Sequence, residues 1–248
     1  MKKLLFLIAT IATLGLIVSG CIAPLEYVTP ISEKGNPKPE LGTPKIEKGV
    51  FVDHGYSSPP WYPWSTEETD SYRWGPKIYW ADSSPLIDVT IYTGGQPSGL
   101  KTFAAIEAGF TAWDEETGTF LYGLITEDSG SGPGVVLDVE NTVQWAQIDG
   151  PSGIIGVTYY WYYTATKEMI EFDIVLDKDE PWATDGTSTA FDVQNIATHE
   201  AGHTLGLKDL RSPKDGALTM HAYTWKGDDL KKTLGSGDIL GIQKIYGE

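Results

Sequence analysis

The chain has 248 residues, 41% hydrophobic, 21% charged and 12% aromatic, which suits one sizeable globular core or two small ones. Its formal net charge of −16 argues against nucleic acid as a partner, because an acidic surface repels the phosphate backbone. The single cysteine, Cys21, excludes a disulfide within the chain, so stability rests on packing or on a bound metal.

Lys2 and Lys3 precede an apolar run over 4–18, and the small residues Ser19 and Gly20 lead into Cys21. That run is shorter than the roughly 20 residues that span a bilayer. A basic start, an apolar stretch and small residues describe a secretory signal over 1–20, with an uncleaved signal anchor as the alternative. The segment Val18-Ser19-Gly20-Cys21 also resembles the lipobox of prokaryotic lipoproteins. That resemblance implies a lipidated Cys21 and an extracellular body anchored to the outer face of the cell membrane. Residues 22–50 then read as a Pro-rich linker, with four prolines between 28 and 49. Residues 51–73 open an aromatic stretch that carries Trp61, Tyr62, Trp64 and Tyr72 among Pro59, Pro60 and Pro63. It is expected to pack on the body through its rings, a sugar-binding strip being the alternative. The body proper is expected over 74–248.

Within the body, IDVTIYT at 87–93 is β-branched and aromatic, hence a strand closed by Gly94 and Gly95. Leu100, Phe103, Ile106, Phe110 and Trp113 recur at helical spacing, with Ser98 placed to cap the helix and Gly118 to end it. The glycine-rich 128–134 is a loop, followed by strands over 142–148, 154–163 and 169–176. Asp192 caps a helix on which Val193, Ala197, Ala201 and Leu205 form an inward ridge, and His199 and His203 a separate one. A last helix covers about 237–246. There are no internal repeats.

The stretch HEAGHTLGLKD at 199–209 holds two of the four histidines. At i and i+4 on a helix, both imidazoles can reach one ion at about 2 Å. Glu200 lies one residue further round, displaced from the ligands but near enough to contact a water at the ion. Gly206 can adopt positive φ and end the helix, so that the chain bends back and Asp209 can offer an oxygen to the same ion. Three protein ligands leave an open fourth position, the catalytic arrangement rather than the structural one. His221 is an alternative third ligand, and His54 reads as a plain loop histidine.

In this motif the chain resembles the metzincin zinc peptidases, matrixin-like branch, in the variant HExxHxxGxxD. Met220, in ALTMHAY, matches the methionine turn that such enzymes place beneath the metal. GSGDILGIQKIYG resembles their closing helix, and the stretch from VTIYTGG to FTAWDEETG their first strand and helix. The resemblance implies an α+β fold: a twisted mixed sheet of about five strands, a backing helix, an active-site helix and a C-terminal helix. It implies one catalytic zinc on His199, His203 and Asp209, with Glu200 as general base. The substrate would lie along the exposed strand at 154–163. Tyr223, three residues past Met220, is a candidate oxyanion contact or merely a packed ring. Calcium is a further candidate cofactor at Asp177, Asp179 and Glu180 or near Asp128, solvated charge being the alternative. The propeptide cysteine of many matrixins has no counterpart here. The function implied is a monomeric zinc endopeptidase acting on extracellular protein or peptide, the alternative being a surface-tethered glycan- or protein-binding module whose zinc is structural or inactive.

Overall fold

The computed structural model describes residues 44–56, 64–81 and 85–247. The signal over 1–20, Cys21 and the linker up to residue 43 lie outside them, as do Trp61 and Tyr62. Nine strands and three α-helices run along the described chain: β1 (Ile46–Tyr56), β2 (Ile87–Tyr92), α1 (Phe103–Thr117), β3 (Tyr122–Asp128), β4 (Thr142–Ala146), β5 (Ile154–Tyr163), β6 (Met169–Asp177), β7 (Trp182–Ala183), β8 (Phe191–Asp192), α2 (Val193–Thr204), β9 (Thr224–Trp225) and α3 (Ser236–Tyr246). Among the described residues, no helix is long and apolar enough to cross a membrane.

The fold is α+β. One mixed sheet has the order β3-β2-β4-β6-β5-β1-β9. Its first four strands are parallel to their neighbours, and β5 turns back antiparallel to β6. In β2 the side chains of Ile87, Val89 and Ile91 are buried and alternate with more exposed ones, the signature of a strand with one face on the core. The central β6 is buried along almost its whole length.

Two departures from the sequence reading concern this sheet. First, β3 is an added edge strand at 122–128, where only Tyr122 is buried, so no inward stripe marks it. Second, residues 46–50 are not linker but the first half of β1, which pairs antiparallel with β5 from Ile46 opposite Tyr163 to His54 opposite Ile154. The edge of β5 expected to stand open is therefore covered. In β1 only Phe51 and Asp53 are buried. A segment so rich in charge becomes a strand because β5 offers its unpaired backbone groups, not because of an apolar pattern.

The helices complete the core. Phe110 packs against Tyr122 and Phe172, with ring centroids 4.9 and 6.3 Å apart. The Tyr122 hydroxyl bonds to Ala201 O of α2 at 2.9 Å. Gly118, at φ 71°, ends α1 in the left-handed region that glycine tolerates. The start differs from expectation: Ser98 lies in a turn, and Thr102 precedes the helix with both its N–H and its hydroxyl donating to Gln96 Oε1. The ridge of Val193, Ala197, Ala201 and Leu205 is buried as its spacing implied. α1 and α2 touch at Gly109, where a Cβ would stand 2.7 Å from Thr198 N and 2.8 Å from the Ala197 Cβ. Beside this contact the Trp113 indole donates to Thr198 O at 2.9 Å. A Gly109→Ala substitution should therefore push α2 outward and destabilise the protein by about 1–3 kcal/mol. Equilibrium denaturation with unchanged m-value would check it.

Candidate metal centre and active site

α2 begins where Asn195 N donates to the Asp192 carboxylate at 3.0 Å, so the expected cap forms. It carries His199 and His203 on one side, both fully enclosed. Their Nδ1 atoms meet backbone carbonyls: His199 with Thr219 O at 2.6 Å, His203 with Leu207 O at 2.9 Å. A carbonyl only accepts, so each Nδ1 carries the hydrogen and each Nε2 presents a lone pair. The helix ends at Gly206, whose φ is 94°. A Cβ there would also stand 2.4 Å from Ile78 O, so glycine is required on two counts. The chain then returns, and Arg73 Nη1 fixes the turn by donating to Asp209 O at 3.0 Å.

Asp209 Oδ1 comes within 3.4 Å of His199 Nε2 and 3.6 Å of His203 Nε2. A fourth donor, the carboxylate of Asp53 from β1, stands with Oδ1 3.2 Å from His199 Nε2 and Oδ2 3.5 Å from His203 Nε2. Ligands bound at about 2.0–2.1 Å to one tetrahedral zinc lie about 3.3 Å from one another. The separations of Asp209 Oδ1 from both imidazoles and of Asp53 Oδ1 from His199 lie close to that figure, and the four donors all fall within 4.8 Å of one another. Asp53 Oδ2, His203 Nε2 and Asp209 Oδ1 are buried without a hydrogen-bond partner. Buried polar atoms left so are costly unless an ion completes them. Imidazole and carboxylate donors at these spacings fit zinc, and among the described residues this is the grouping of histidines and carboxylates that could hold a metal.

The charges agree. Burial and the Lys231 ammonium pull His199 down, yet the Asp53 and Asp209 carboxylates push it up to about 10. Burial acts against Asp53, but the two imidazoles hold it well below the usual carboxylate range. The two carboxylates thus favour positive charge at Nε2, whether a proton or a cation that displaces it and leaves the imidazole neutral.

Glu200 lies beside this point and is fully buried. Thr158 Oγ1 of β5 donates to its Oε2 at 2.5 Å, while Oε1 has no partner. Burial first, then the neighbouring Asp53 carboxylate, raise its pKa well above the ordinary value. Gly156 on β5 makes room for it, since a Cβ there would stand 2.3 Å from Oε1.

Met220 is buried under α2, with its sulfur 2.3 Å from where a Cβ on Gly202 would stand. Asp238 of α3 ties that turn down by accepting N–H bonds from Thr219 at 2.7 Å, Met220 at 3.1 Å and Gly235 at 3.0 Å. His221 is outside the donor grouping. Its ring faces Trp64 at 4.6 Å, and burial and Lys231 push its pKa down to about 4. Tyr223 stacks with Trp64 at 5.1 Å and tilts against Tyr56 at 5.7 Å. His54 is exposed. At the acidic group, Asp177 accepts N–H bonds from Asp149 at 3.3 Å and Asp179 at 3.0 Å, and Glu180 from Gly153 at 3.0 Å and from Ser152. Asp128 accepts from Gly130 N at 2.6 Å. Sequence reasoning missed Asp53, Lys231 and Thr158, the last an unremarked position of β5. Asp53 had a signal, the inward phase it shares with Phe51 in β1. Lys231, buried with Nζ donating to His221 O and 3.4 Å from His199 Nδ1, had none.

The matrixin family model matches residues 94–247, most of the body and the whole of α2 with its return turn. The chain belongs to the matrixin family. It is 27% identical to human matrix metalloproteinase-26 over 184 residues, covering 62% of this chain and 66% of that one. It is 40% identical to human matrilysin over 76 residues, 31% of this chain and 27% of the relative. To mouse stromelysin-1 it is 29% identical over 168 residues, 68% of this chain and 33% of the relative. The chain thus spans less than two thirds of each of these relatives. β1 lies ahead of the matched segment in this matrixin.

If the four donors take zinc, stripping the protein with a chelator and then returning zinc should raise its melting temperature. At zinc a thousandfold above its Kd, binding contributes about 4 kcal/mol. His203→Ala should lose that shift, and thermal scans with and without zinc check both.

Proposed function

We propose that this matrixin is a zinc-dependent endopeptidase hydrolysing extracellular protein or peptide substrates. The observation that carries the reading is Glu200, sealed beside the donor grouping with one carboxylate oxygen held by Thr158 and the other unpartnered. A purely structural site has no use for such a group. His199, His203 and Asp209 are the residues that would hold the zinc. When bound, zinc lowers the pKa of water from 15.7 toward about 7 and polarises the scissile carbonyl.

The rest falls to the chain's own residues. Glu200 Oε1 takes a proton from the attacking water and returns it to the leaving amine nitrogen, completing the hydrolysis. Thr158 fixes the carboxylate rotamer so that Oε1 faces the reacting atoms. Gly156 keeps β5 close without displacing Glu200. With β1 off that edge, the backbone of β5 would position an extended substrate by adding it as a strand. Met220 and Asp238 support α2 from beneath. The signal-like 1–20 and Cys21 support export and a lipid tether, which would leave the body on the outer face of the membrane.

Replacing Glu200 by Gln keeps the shape and removes the base. Once the cleft is accessible, the variant should retain zinc by elemental analysis and cleave unfolded casein about 10²- to 10⁴-fold more slowly. Undiminished cleavage would reject Glu200 as the base.

A further inference from the structure

We propose that Asp53 is a fourth zinc ligand and that β1 is an internal inhibitory strand, holding the full chain in a latent state. This rests on the zinc-peptidase reading above and adds its regulation.

The donor geometry comes first. The Asp53 carboxylate stands as close to the two Nε2 atoms, Oδ1 3.2 Å from that of His199 and Oδ2 3.5 Å from that of His203, as Asp209 Oδ1 does at 3.4 and 3.6 Å. It occupies the corner that three ligands would leave for water or a substrate carbonyl. Four protein ligands around zinc make a closed site, and a closed site does no hydrolysis. Charge favours the same arrangement. Two neutral imidazoles and one carboxylate leave a dication with one positive charge, and the second carboxylate cancels it in an enclosed place where net charge is costly. Asp53 is 5% exposed, and its Oδ2 has no hydrogen-bond partner.

The strand fills the rest of the cleft. β1 pairs antiparallel with β5, and Asp53 falls opposite Gly156, the residue that makes room for Glu200. Its other edge joins β9 in parallel, Gly55 with Thr224 and Tyr56 with Trp225, just past the Met220 turn. An extended substrate seeking the backbone of β5 finds it taken. Phe51 locks the strand in place, stacked on the His203 ring at 4.1 Å with planes 5° apart and on Tyr160 at 5.2 Å.

The hold is also one that can be released. Val50, Val52 and Tyr56 are exposed, and Phe51 alone of the strand's large apolar side chains is buried. Beyond backbone pairing and Asp53, β1 is held at its exposed side by the Tyr162 hydroxyl on Glu47 at 2.9 Å, Lys48 over the Tyr159 ring at 4.3 Å and Tyr56 against Tyr223 at 5.7 Å, and Phe51 is its one residue in the buried core cluster. β1 precedes residues 94–247, the segment shared with the family.

The test compares the full-length protein, Asp53→Ala and Phe51→Ala, each loaded with zinc. Three quantities are read: bound zinc, affinity for acetohydroxamate by calorimetry, and cleavage of fluorescent casein. Acetohydroxamate binds zinc only where a coordination corner is free. Asp53→Ala should keep its zinc, bind acetohydroxamate at least tenfold more tightly and cleave casein at least tenfold faster. Phe51→Ala keeps all four donors and should shift both readings the same way by less. Equal acetohydroxamate affinity in the zinc-loaded wild type and Asp53→Ala would overturn the proposal. If Asp53→Ala does not fold, equal affinity in wild type and Phe51→Ala would do so. A wild type that takes up no zinc would instead reject the metal reading beneath it. Tighter acetohydroxamate binding without casein cleavage in any variant would keep Asp53 as a ligand and reject the peptidase reading.

Discussion

The site depends on two hydrogen bonds that no motif spells out, from His199 Nδ1 to Thr219 O and from His203 Nδ1 to Leu207 O. Each fixes a ring's tautomer and tilt, and each joins α2 to a different return of the chain. Leu207 belongs to the turn that Gly206 opens, and Thr219 to the approach to Met220. If either carbonyl moved, an imidazole would lose its orientation and the Nε2 lone pairs would cease to converge. The neighbouring packing serves to hold those carbonyls. Asp238 anchors the backbone around Thr219 and Met220, Arg73 anchors the turn at Asp209, and Gly206 lets the chain pass Ile78.

On the proposed latency, the same four donors have two uses. With β1 seated they make a closed, charge-balanced set. With Asp53 withdrawn, His199, His203 and Asp209 still converge because their supports lie in α2, the Gly206 turn and the 219–220 turn, none of which belongs to β1. A latent and an active centre can therefore share one frame. The change between them is confined to the strand that covers β5, so opening the site need not disturb the core.

Much of this was legible in the sequence. The HExxHxxGxxD spacing encodes helix, turn and return because each step follows from local geometry: i and i+4 on one face, positive φ at glycine, then a short reach back. α1, β2 and the ridge on α2 were legible for the same reason, since their apolar periods are long and regular. The beginning of α1 was not, because Thr102 bonds to Gln96 rather than capping through its own oxygen. β3 escaped because an edge strand with one buried residue carries no stripe.

What stayed hidden was non-local. Nothing in KIEKGVFVDHG announces a partner more than a hundred residues away, and its two lysines and one glutamate made its first half read as linker. Asp53 shares the inward phase of Phe51, but a carboxylate at an inward position has a meaning only once the two imidazoles face it. Lys231 was hidden because lysine is almost never fully buried without partners, and its partners are backbone and site groups brought together by the fold. Anomalous diffraction at the zinc absorption edge from crystals of the full-length chain tests the coordination most directly. One peak within about 2.0–2.2 Å of both Nε2 atoms and of oxygens from Asp209 and Asp53 is expected. An absent peak, or one with Asp53 turned away and another group in its corner, would contradict a centre closed by the chain's own strand.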